Sequence, residues 1–236
     1  KCGHFSRFTP FPFRQRQRRR RVHHQTGAIQ CFFKKSANRH LQVKERQRGL
    51  DEGTYLESFV LLNAAGGECL DDFDRLREDR ALAELVGHPL PSPEAARKFL
   101  YAFHDEGKIE DARQQRLPDQ VSYIPAESEP LRGLAQVNVD LVKEMGRRCP
   151  DQKIATIDLD GTVIQSTKQE ALPTYQGGAG YQPVVALWAE LDLVVAEPFR
   201  DGNVSAQQEP LKVAREAFAA LPETVARYAA RGFKVL

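Results

Sequence analysis

The sequence predicts an α/β protein in which an N-terminal helical unit precedes a sheet-bearing one. Three observations carry that expectation. Apolar residues recur at three-to-four spacing from about residue 50 to residue 148, the period drops to two at Lys153, and the runs "VVALWA" and "LDLVVAEP" lie so close that only an antiparallel hairpin joins them. With 236 residues and 41% apolar content, the chain is long enough for one or two domains with cores. Its longest apolar runs fall far short of the roughly 20 residues that a bilayer requires, and no apolar signal core follows the basic start. A cytoplasmic protein without membrane contact is expected. Cys2, Cys31, Cys69 and Cys149 are scattered with no C-x-x-C pair, which points to free thiols.

A net charge of +2 conceals an asymmetry. Residues 1–48 hold 14 Lys or Arg and a single acid, Glu45, whereas the rest holds 20 basic and 31 acidic residues, leaving +13 against −11. Such a block favours polyanions, because each phosphate it neutralises releases condensed counterions. Residues 1–47 contain "RQRQRRRR" but no helical or alternating period, so a basic arm that does not fold by itself is expected there. The plainer reading is that residues 1 to about 40 have no function of their own. The chain opens at Lys1, its first methionine is Met145, and it closes on "FKVL", so both ends are expected to be cut.

Residues 48–128 read as a compact helical unit. "TYLESFVLLNAA" forms a helix ended by Gly66 and Gly67, and "LDDFDRLREDRALAELVG" an amphipathic one closed at Gly87. A third, "PEAARKFLYAFH", has Ser92 as its cap, Pro93 at its first position and Glu94 at its positive end. Three short helices with tight turns suit a helix-turn-helix, which would put Arg97 and Lys98 of the third helix against DNA; a scaffolding role is the alternative. Residues 129–150 form a connecting helix with Leu134, Val137, Leu141, Val142 and Met145 along one buried stripe.

Residues 151–236 change character. "KIATIDLDGTVIQ" reads as a strand with Ala155, Ile157, Leu159 and Val163 on one face and Ile154, Thr156, Asp158, Asp160 and Thr162 on the other. The Gly-rich "TYQGGAGYQP" reads as a flexible connection, since it lacks the lysine and spacing of a phosphate loop. The hairpin follows and ends at "RDGN"; then come helical patterns in "EPLKVAREAFAAL" and "PETVARYAARG", and a strand start in "FKVL". Asp158 and Asp160 on one face of a strand that should be central repel each other unless a cation sits beside them. Hard oxygen donors suit Mg2+ or Mn2+, the ions of phosphoryl transfer. On a water-exposed strand, by contrast, the acids need no partner.

Two families share features with these residues. "DLDGTV" after an apolar strand resembles the nucleophile signature of haloacid-dehalogenase-like phosphatases, which implies Asp158 as nucleophile and Asp160 as acid and base. That fold starts a parallel sheet at the motif. The segments "ESFVLLNAAGGECLDDFDRLRED", "LPSPEAARKFLYAFHDE", "EPLRGLAQVN", "ATIDLDGTVI", "GYQPVVALWAELDLVVAEPFRDGNV" and "ALPETV" together resemble bacterial insertion-sequence transposases of the DDE type, over about residues 44 to 236. This resemblance implies an incomplete ribonuclease-H-like domain of three antiparallel strands, helices and the start of a fourth strand. It also implies transposon-end and target DNA as partners, Mg2+ or Mn2+ as cofactor, and a homodimer when full length. Asp160 becomes the first acid of the triad and Asp158 a neighbour tuning the metal site; the second aspartate and the glutamate are expected beyond "FKVL". Gly161 departs from the family, where alanine or another small residue is more usual. A DNA-binding fragment without catalysis is the remaining reading.

Lesser signals are Arg200 and Asn203 in "RDGN", which could approach DNA but are explained as well by a hairpin-to-helix turn, and Trp188, expected in the core. No histidine forms a nucleophilic triad with a reactive serine.

Overall fold

The computed structural model describes residues 14–44, 48–115 and 122–225, and shows a mixed helix and sheet protein with two small antiparallel sheets. No helix among these residues is long and apolar enough to cross a membrane.

The first correction concerns part of the basic arm. Of residues 1–47, Arg14–His40 form one helix, α1, rather than an unfolded segment, while 1–13 and 45–47 lie outside the described residues. Its last turns are held by tertiary packing: Ala37 and Leu41 are buried with Val137, flanked by Phe33, Leu56 and Phe103. The sequence shows no apolar period over this helix as a whole, and the packing described for it lies in its last turns.

Asp51 caps α2 (Glu52–Ala64) by accepting a hydrogen bond from the Thr54 amide at 2.7 Å, and the helix ends before Gly66, whose φ of 78° only glycine adopts readily. The expected single helix after Gly67 is two, α3 (Asp72–Glu78) and α4 (Arg80–Val86). Asp79 causes the break: its backbone is extended, and its side chain accepts from the Leu82 amide at 3.0 Å, so it ends one helix and caps the next. Ser92 caps α5 (Pro93–Tyr101) as the sequence implied, accepting from the Ala95 amide. A further helix, α6 (Glu106–Gln115), lacks an apolar period and was not expected. Stacked Tyr55 and Phe99, with Phe59, Phe73 and Phe103 around them, bind α2, α3 and α5 together.

Helix α7 (Glu129–Arg148) is the strut of the molecule. Along one side Val137 meets α1, and Asp140 accepts hydrogen bonds from Ser36 Oγ at 2.7 Å and His40 Nε2 at 3.0 Å. Along the other Val142 enters the core under the main sheet. Of the expected stripe, Val137 and Val142 are fully buried while Leu134 stays 37% exposed.

The main sheet comprises β1 (Ile157–Gly161), β5 (Val184–Trp188) and β6 (Leu193–Ala196), all antiparallel in the order β1-β5-β6. Its core face carries Val184, Ala186 and Trp188, which pack on Val142, Val195 and, from α8 (Pro210–Ala220), Val213, Ala217 and Ala220. Trp188 is fully enclosed and donates Nε1–H to the Ile154 carbonyl at 3.2 Å. The hairpin is as expected. The first strand is not: the expected run from Lys153 to Gln165 divides, and among the described residues β1 pairs with β5 alone, at the end of the order β1-β5-β6. Its continuation, β2 (Ile164–Gln165), joins β3 (Leu172–Pro173) and β4 (Ala179–Tyr181) in a second sheet ordered β2-β4-β3. The Gly-rich stretch is therefore a hairpin. Gly177 and Gly178 supply positive φ at its turn, and Gly180 is required because a Cβ there would lie 2.4 Å from the Ile164 carbonyl oxygen. The fourth-strand segment "FKVL" and most of the preceding helical pattern lie outside the described residues.

Burial raises the Asp140 carboxyl, but hydrogen bonds from Ser36, His40 and Gln136 outweigh it and hold the group below its usual value. A depressed folded-state value stabilises above the unfolded pKa of about 3.9 and is lost as pH falls through the folded one. The urea midpoint of the native chain is expected to exceed that of Asp140→Asn at pH 6, with the difference shrinking below about pH 4; a difference independent of pH would refute the carboxylate's part.

Candidate metal centre

Strand β1 places Asp158 opposite Leu187 and Asp160 opposite Val185 of β5. Ile157 alternates with them and packs on the core cluster, so the two carboxylates stand on the other face of the sheet, away from α7 and α8. Both are exposed. The burial that would have made their repulsion severe is absent. Two strand positions are about 6.7 Å apart, and unit charges at that separation in bulk water repel by about 0.6 kcal/mol. The fold tolerates the pair without a cation.

The donor chemistry nevertheless fits one hydrated divalent ion, since Mg2+ keeps most of its waters and is commonly held by one or two carboxylates. Two carboxylates on one strand do not constitute a two-ion cradle. Among the described residues no group of three His, Cys, Asp or Glu side chains is arranged to hold a metal. Glu190, which sequence reasoning passed over, comes to this strand from the β5–β6 turn, but its carboxylate is engaged by Thr156, accepting from Oγ1 at 2.6 Å and the amide at 2.9 Å. Burial opposes ionisation of Glu190 and the Thr156 hydrogen bonds overcome it, leaving its pKa lowered. Only the hairpin register reveals this contact, as 34 residues separate the partners.

At the other end of β1, Gly161 has a steric reason. A Cβ at this position would lie 2.6 Å from the Ala206 Cβ. The Ala206 loop is held by Arg200, whose guanidinium donates to the Gln208 carbonyl at 2.7 Å and the Ser205 carbonyl at 3.3 Å. Arg200 is only 3% exposed, so it is a loop clamp, not the surface DNA contact considered from the sequence. Burial lowers its pKa, against the opposing influence of Glu209 and Glu216. Asn203 is partly exposed in the same loop.

Arg97 and Lys98 do stand on the surface of α5, 48% and 75% exposed, but both pair with Glu94, at 3.1 and 3.4 Å. The structure does not bring them to the acids: the helical unit reaches the sheet through α1, which packs on α7, and α7 with α8 backs the face opposite Asp158 and Asp160. Cys31, Cys69 and Cys149 are free thiols. No protein-family model, curated protein or solved structure matches the chain.

Gly161→Ala is expected to cost about 1–3 kcal/mol through overpacking against Ala206, and Ala206→Gly in the same chain to restore most of it. Urea denaturation of the single and double variants measures this; equal losses in both would show that the contact is not the reason for glycine.

Proposed function

We propose that the chain is part of a DDE-type transposase: a protein that binds transposon-end DNA and whose sheet unit contributes to a metal-dependent site for DNA cleavage and strand transfer. The observation that carries this reading is the position of Asp158 and Asp160 on the uncovered face of the first strand of an antiparallel trio, followed by a helix that backs the opposite face. This is the arrangement that a ribonuclease-H-like domain requires at its first strand, and it agrees with the segments of the chain that resemble such transposases.

Asp160, with Asp158 beside it, would hold Mg2+ or Mn2+. When bound, the ion supplies activation of the attacking oxygen and stabilisation of the leaving one. The chain's own residues do the positioning. Backbone pairing to β5 fixes the spacing of the two carboxylates, and Gly161 lets the Arg200-clamped loop close against the end of their strand. Fixed geometry is what a two-ion displacement depends on, and two acids on one strand do not provide it. Binding of DNA without cleavage is therefore the behaviour proposed for this chain alone. A homodimer acting on paired DNA ends is the proposed assembly of a complete enzyme.

The hexamer "DLDGTV" supports a second reading, a phosphatase with Asp158 as nucleophile. The antiparallel pairing of β1 with β5 weighs against it, because that chemistry is housed at the start of a parallel sheet.

Titration with Mn2+, followed by the loss of free-ion paramagnetic resonance signal, is expected to show a weak site that Asp160→Asn removes. The purified chain is expected to leave p-nitrophenyl phosphate intact and neither nick nor join transposon-end duplexes in Mg2+. Hydrolysis of the small ester that disappears in Asp158→Asn would replace the transposase reading with the phosphatase one. Nicking or joining by this chain would overturn the proposed lack of cleavage.

A further inference from the structure

The packing of α1 on α7 leaves one flank of the pair cationic. The Ser36 and His40 contacts to Asp140 set the two helices side by side, and at their far end the Arg147 guanidinium lies 5.8 Å over the Phe32 ring. That contact identifies which sides of the helices adjoin. At 100° per residue, Lys35 and Arg39 follow Phe32 on the outer side of α1, away from the α2 contacts of Gln30, Lys34 and Asn38. On α7, Lys143 precedes Arg147 by one turn. All four cations are exposed.

Neighbouring acids do not neutralise this flank. Among the described residues Lys35, Arg39 and Lys143 form no ion pair, and Arg147 shares the single carboxylate of Glu144 with Arg148, at 2.8 and 2.9 Å. Asp140 is occupied by Ser36 and His40, and Glu57 by Gln30, Lys34 and His88. The helix that carries half of the flank has nine Lys or Arg and no acid over its 27 residues. Beyond residue 48 the chain is acidic, so a polyanion is drawn to this flank and repelled elsewhere.

We propose that the α1–α7 flank binds the sugar-phosphate backbone of duplex DNA, with Lys35, Arg39, Lys143 and Arg147 as phosphate contacts. The proposal rests on the reading of the chain as a DNA-handling protein and assigns the surface that holds the duplex. Such contacts position DNA without reading its sequence. The flank is backed by the helices, whereas Asp158 and Asp160 occupy the open face of the sheet, so the duplex held here is anchored rather than presented to the carboxylates.

The test is fluorescence anisotropy of a labelled duplex of arbitrary sequence with the full chain, without divalent ions, across 50 to 200 mM salt. Each phosphate contact contributes about 0.9 to the slope of log affinity against log salt, so Lys35→Gln/Arg39→Gln/Lys143→Gln is expected to flatten it by about 2.7. The three positions are exposed, and circular dichroism checks that the helices remain. An unchanged slope in this variant overturns the assignment, as does a native chain that binds anionic phospholipid vesicles more tightly than the duplex. If Arg97→Gln/Lys98→Gln flattens the slope and the triple variant does not, the flank proposal fails while DNA binding stands. Flattening by the triple variant in a chain with no Mn2+ site at Asp160 keeps the flank and removes the transposase reading.

Discussion

Helix α7 presents two buried faces, and the rest of the structure depends on both being satisfied at once. Val142 goes down into the core with Trp188, Val184 and Ala186, while Val137 and Asp140 turn toward α1. A helix with a single apolar stripe would cover the sheet and leave the N-terminal helices unattached. Here the second contact is partly polar. Asp140 collects donors from Ser36 and His40, which fixes the axial position of α1 more sharply than apolar packing does, because hydrogen bonds to a charged, half-buried carboxylate are short and directional. Gly133 belongs to the same contact: a Cβ there would meet the His40 carbonyl oxygen at 2.3 Å.

A similar device ties the helical unit together. Glu57 of α2 is nearly buried and receives Gln30 and Lys34 from α1 and His88, at 2.6 Å, from the link between α4 and α5. Two carboxylates, Asp140 and Glu57, thus join elements far apart in the chain, and the aromatic cluster around Phe99 fills the space between α2, α3 and α5. The polar contacts choose the arrangement, and the rings supply most of the buried apolar area.

The sheet shows the opposite division of labour. Its core face is closed by α7 and α8, and its other face carries the only acids of β1. Solvent exposure makes that pair inexpensive to fold, so metal affinity would be a functional gain and not a structural requirement. What distinguishes this end is shape: a glycine at 161, a loop pressed against it, and a buried arginine that donates to two backbone carbonyls of that loop.

The sequence by itself determined the elements whose causes are local. Ser92 announces its helix, the short gap between "VVALWA" and "LDLVVAEP" forces a hairpin, and alternation puts Asp158 and Asp160 on one face of a strand. The break at Asp79 was not read from the sequence, since an aspartate can continue a helix or cap a new one and the packing of the following turn decides between them. Tertiary structure alone decided that β1 pairs with β5 and that its acids are exposed, since strand pairing is set by which neighbours meet and not by any residue's own preference. It also decided that the last turns of α1 are packed, because their apolar partners come from α2 and α7, and that Arg200 is buried, because the loop that follows it folds back over the guanidinium.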